Sequence, residues 1–121
     1  MRYLSVLFAS QPATPPPPEL FEAIMALGQE ATTAGVMLDM GGLLPHTRTD
    51  VTVQSDELSV LDGPFTETKE LVSYVVYEVR SKEDMVEWIR RFMDLHRELW
   101  PGWTGTSQIL QVMTGGGEPP A

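Results

Sequence analysis

The chain contains no cysteine. That removes disulfides, thiolate metal ligands and cysteine nucleophiles together, and it fits a reducing, cytoplasmic setting. Cationic residues are scarce as well: 8 Lys and Arg stand against 17 Asp and Glu, a formal net charge of −9 at pH 7. Such a balance repels phosphate backbones and anionic membrane surfaces. The arginines Arg90, Arg91 and Arg97 are interleaved with acids instead of forming a stripe. Neither nucleic acid nor membrane is therefore expected as a partner, and the acid excess reads as a solvated surface. Long apolar runs are missing too. The run ending at Phe8 is too short to span a bilayer and lacks a small-residue cleavage pattern. There is no G-x-G-x-x-G, no phosphate loop, no H-x-x-x-H spacing and no G-x-S-x-G, so no cofactor, metal or Ser–His–Asp triad is expected. Gly115-Gly116-Gly117 precedes no helix and reads as tail.

With 121 residues, 42% of them apolar, the sequence predicts one globular domain over residues 1–113 and a disordered tail over 114–121. Residues 3–8 alternate as a strand with Leu4, Val6 and Phe8 on one face. Gln11 to Pro18 holds five prolines and reads as an extended loop whose last proline opens a helix. Leu20, Ile24, Leu27 and Ala31 follow helical spacing, and Gly35 stops that helix. Val36 to Leu44 is a second strand, and the Gly41-Gly42 pair within it suggests a bulge or a close approach of backbone or ligand.

Thr49–Gln54 and Glu57–Leu61 form a hairpin around Ser55-Asp56. Leu71–Val79 is a strand apolar on both faces. Ser81 and Asp84 make a capping pattern for a helix to Leu99, which Pro101-Gly102 ends. Ser107–Met113 is the last strand. The order is a ferredoxin-like α+β plan, βαββ(β)αβ, with two helices on one face of an antiparallel sheet. Two helices cover only one face, so the other calls for a second copy of the sheet.

Asp62-Gly63-Pro64-Phe65-Thr66-Glu67-Thr68-Lys69-Glu70 holds more ionisable groups than a turn requires. Asp62, at a strand end before a rigid Gly-Pro turn, is placed either as a general base or as an acceptor that holds the turn. Glu67, Lys69 and Glu70 are expected to form a local ion-pair network, with Lys69 also able to meet an anionic or carbonyl group. His96 shares a helical stripe with Met85, Ile89, Phe92 and Leu99. It reads either as a packed histidine bonded to backbone or, with Trp100 and Trp103, as the wall of an aromatic ligand site. His46, after Pro45, is an exposed loop histidine. The candidate catalytic residues are thus His96, Asp62 and His46, and the candidate ligand contacts are Trp100, Trp103, Lys69, Phe65 and Met40.

The Asp62-Gly63-Pro64-Phe65 segment followed by Glu67-Thr68-Lys69-Glu70 resembles the signature of the DGPF branch of the YCII-related family. Phe92-Met93-Asp94-Leu95-His96-Arg97 with Trp100-Pro101-Gly102-Trp103 resembles a subset of that branch. The resemblance, over most of Met1 to Met113, implies a homodimer in which two sheets form a dimeric α/β barrel. It also implies, for some members, a His–Asp pair with the histidine near the first helix. No histidine lies between Met1 and Pro45 here, so only His46 or His96 could stand in.

Two functions follow as expectations. One is a small cofactor-independent enzyme acting on an apolar, aromatic or polyketide-like metabolite by acid–base chemistry: isomerisation, cyclisation, dehydration or lactone chemistry. The other is a non-catalytic ligand-binding or accessory protein, linked through the resemblance to sigma-factor systems.

Overall fold

The structure is a computed structural model that describes residues 1–10, 12 and 14–114. The tail expected beyond Thr114 lies outside the described residues. Nine elements run in the order β1 (Arg2–Ser10), α1 (Pro18–Thr33), β2 (Met37–Gly42), a one-turn 3-10 helix (Pro45–Thr47), β3 (Thr49–Gln54), β4 (Glu57–Asp62), β5 (Glu70–Glu78), α2 (Lys82–Leu99) and β6 (Thr104–Gln111). Strands β2, β5, β1 and β6 pair in that order, all antiparallel. This is an α+β architecture compatible with the ferredoxin-like plan. The β3–β4 hairpin forms a separate two-stranded sheet.

Local chemistry explains the helix limits. Ser81 caps α2 by accepting a hydrogen bond from the Asp84 N–H at 3.1 Å. The end of α1 is a Schellman turn: the Gly35 N–H donates to the Thr32 carbonyl and the Val36 N–H to the Ala31 carbonyl. On the helices, the inward stripes are Leu20, Leu27 and Ala31 on α1 and Met85, Ile89 and His96 on α2, all buried. They pack on one sheet face, where Tyr3, Ser5, Leu7 and Ala9 of β1 are buried.

Neither α1 nor α2 packs on the opposite face, which only the segment around Pro45 and the Phe65 loop approach, beside Phe8, among the described residues. Leu4 lies between Val76 and Leu110 there, and Val6 between Tyr74 and Gln108. The glycine pair in β2 is not itself the irregularity, since the register shift falls between Met37 and Asp39. Gly41 instead admits the ring of Tyr74: a Cβ there would stand 2.6 Å from Tyr74 Cε1. The Tyr74 hydroxyl is held in place, donating to Asp39 Oδ2 at 3.0 Å. Among the described residues, no helix is long and apolar enough to cross a membrane.

Candidate functional site

A cavity of about 440 Å³ is built around the loop between β4 and β5. Its apolar wall comes from Phe8, Leu43, Leu44, Pro45, Phe65 and Leu71, and its polar groups are Arg48, Glu67, Lys69 and Glu70. Phe8 places it. Alternation along β1 sends Leu7 and Ala9 to the helices and Phe8 to the uncovered face.

The wall is organised by the hairpin root. Thr49 pairs with Asp62 across β3–β4, which sets Arg48 opposite Gly63. The Gly63 N–H donates to the Arg48 carbonyl at 2.9 Å. A Cβ on Gly63 would lie 2.9 Å from the Phe65 ring and 3.1 Å from that carbonyl, so only glycine fits. The following Gly63–Pro64 peptide is cis. The Arg48 guanidinium stands 4.2 Å from the centre of the Phe65 ring. Its Nε and Nη2 donate to the two oxygens of Asp50, each at 2.8 Å, and its Nη1 donates to Glu67 Oε1 at 2.9 Å. These bonds to Asp50 and Glu67 hold the guanidinium more firmly protonated, and its bonds to Asp50 keep that carboxyl below the usual carboxylate range.

Composition and motif do not single out Arg48. The signal that finds it is the hairpin register, since the residue before Thr49 must face the residue after Asp62. The ion-pair network expected among Glu67, Lys69 and Glu70 does not form. Glu67 reaches Arg48 instead, and among the described residues no ion pair holds Lys69 or Glu70. Lys69 lies in the bend that leads into β5, whose first residue is Glu70.

Of the candidates read from sequence, Phe65 and Lys69 meet in this cavity. Asp62 sits at the hairpin root and accepts the Thr49 hydroxyl at 2.6 Å. His46 is exposed on the 3-10 turn, between Pro45 and Thr47. Met40 lies on the helix side, its sulfur 3.9 Å from where a Gly28 Cβ would be, in a crevice of only about 20 Å³.

His96, Trp100 and Trp103 form a group on the helix side of the sheet. The His96 ring stacks on Trp103 with centroids 4.3 Å apart and meets Phe92 edge-on at 4.7 Å. Trp103 fills the space beside Gly105, whose strand partner Ala9 faces the helices. Trp100 is buried, and its Nε1–H donates to the Thr14 carbonyl at 3.2 Å. None of the three lines the large cavity.

His96 Nδ1 lies 2.9 Å from the Phe92 carbonyl. A carbonyl only accepts, so Nδ1 carries the proton in the neutral ring and Nε2 keeps the lone pair. Burial pushes the imidazole below its ordinary value of 6.5, against the smaller upward pull of that carbonyl. Unfolding therefore takes up a proton once the pH falls below about 6.5. Stability is expected to be flat above that value and to decline below it. Urea melts at pH 7.5 and pH 5.5 check this, and the decline should be smaller in His96→Gln. Parallel losses in both proteins would assign the pH dependence to other groups.

No protein-family model matches the sequence, and no curated protein matches it. Among the described residues, no three of His, Cys, Asp and Glu converge to hold a metal ion.

Proposed function

We propose that this chain binds a small, largely apolar or aromatic metabolite in the cavity behind the Asp62-Gly63-Pro64-Phe65 turn. In this reading it belongs to the YCII-related family, DGPF branch, and works as a homodimer closed into an α/β barrel through its uncovered sheet face. The observation that carries the binding reading is the cavity's make-up. About 440 Å³ is room for a small ligand, six apolar side chains supply the contact surface, and a few charged groups can orient the molecule. Arg48 is occupied by Asp50 and Glu67, so it braces the wall, whereas Lys69 is available to a carboxylate or carbonyl oxygen.

Lys69 and Glu70 favour a second reading, in which the bound molecule is also converted. An ammonium that donates and a carboxylate that accepts both line one mostly apolar space. Those two groups suffice for a cofactor-independent proton shift such as an isomerisation or dehydration.

The test is a melting screen against aromatic acids, lactones and small polyketide-like carbonyl compounds. A true ligand at about 100 times its Kd adds about 2.7 kcal/mol to the folded state. Leu44→Asp, at an exposed position of the wall, should abolish that shift while leaving the unliganded Tm alone. A compound that shifts both proteins equally sits elsewhere and defeats the proposal. Product formation that is lost in Lys69→Met and Glu70→Gln separates conversion from binding.

A further inference from the structure

The β3–β4 hairpin carries an apolar face that none of the described residues covers. Val51 pairs with Val60 and Val53 with Leu58, and alternation puts all four side chains on one side. Each is between 64% and 73% exposed. The other side presents Asp50, Thr52, Gln54, Glu57 and Ser59, with Leu61 the one aliphatic among them. A lone two-stranded hairpin is marginal in water, and an aliphatic quartet turned to solvent makes it more so. The arm is nevertheless fixed at its root by the Thr49–Asp62 and Gly63–Arg48 hydrogen bonds.

We infer that this face is an arm that packs against a second copy of the chain and completes the dimer proposed above. The inference rests on that dimer, and two observations select a second copy as the occupant. The first is charge. Copies with a net charge of −9 repel each other, so they meet best where carboxylates are absent or already paired. The quartet Val51, Val53, Leu58 and Val60 is such a place; on the sheet face around Leu4, Val76 and Leu110 the carboxylates present, Asp39 and Glu78, are held by the Tyr74 hydroxyl and by Arg2 with the N-terminus. The second is area. At the burial values usual for Val and Leu, the quartet offers on the order of 250 Å², against about 800 Å² a side in a stable complex. The arm alone falls short, and the uncovered sheet face supplies the remainder. Both surfaces flank the same cavity, because Phe8 of the sheet and Phe65 at the hairpin root line it together. Strands of six residues reach about 20 Å from that root, enough to cross onto a partner.

The full chain and its Val51→Asp/Val53→Asp variant are compared by sedimentation at micromolar concentration. The wild type is expected at twice the 13.5 kDa chain mass and the variant at the single mass. The four-stranded sheet excludes the hairpin, so the variant should keep its circular dichroism. The absence of native cysteine permits a second measurement at a single labelled site. A bimane label on Val53→Cys should shift its emission to the red when the dimer is diluted apart. A variant that remains a dimer, or a label with solvent-like emission at every concentration, overturns the arm and leaves the sheet-face dimer standing. A monomeric wild type overturns both.

Discussion

Trp100→Ala is expected to cost about 3–5 kcal/mol of folding stability, as for a buried indole whose space cannot be refilled. The residue is 6% exposed. It also ties two remote segments, since the indole N–H donates to the Thr14 carbonyl across 86 residues. Losing that bond frees the proline-rich approach to α1 from the end of α2. In a chain of this size the loss corresponds to a fall in Tm of about 10–20 °C. Trp100→Phe should recover most of it, because the ring volume returns while only the hydrogen bond is lost. Binding per folded molecule should be unchanged in both variants, as Trp100 does not line the cavity. A stable Trp100→Ala protein that no longer binds ligand would move the site to the helix side of the sheet, beside His96 and Trp103.

That contrast shows where sequence reasoning reaches and where it stops. Periodicity identifies the inward stripes of both helices, down to His96 among the buried residues of α2. Turn chemistry locates Ser55-Asp56, whose φ values of 51° and 64° give the positive pair a tight hairpin requires. The first strand extends beyond its expected limits, and the last runs Thr104–Gln111 instead of Ser107–Met113, because pairing with β1 continues through residues of low strand propensity such as Gly105.

The site is legible only in part. The density of charge after Asp62 points to the loop that borders the cavity, yet three-dimensional partners decide what each charge does. Glu67 is nineteen residues from Arg48 and still bonds to it. Likewise, imidazole and two indoles in one short stretch look the same in sequence whether they wall a ligand or pack a helix. Only the sides of the sheet on which they and Phe8 fall distinguish the two.

Arg48→Lys is expected to weaken ligand binding on the order of tenfold, nearly as much as Arg48→Ala, although it preserves the charge. The guanidinium does three things at once. It grips both oxygens of Asp50, reaches Glu67, and lies 4.2 Å from the Phe65 ring centre. A lysine ammonium is a point charge without a planar fork, so it can satisfy one carboxylate but cannot also flatten against the ring. Phe65 would then lose its lid and Glu67 its anchor, and both belong to the cavity wall. All these groups are at the surface, so the Tm should move little while affinity drops. Isothermal titration with whichever compound the screen selects, alongside the melting curves, reads the two effects separately. Full-strength binding by Arg48→Lys would mean that charge alone matters at this position and that the braced wall is not what the ligand requires.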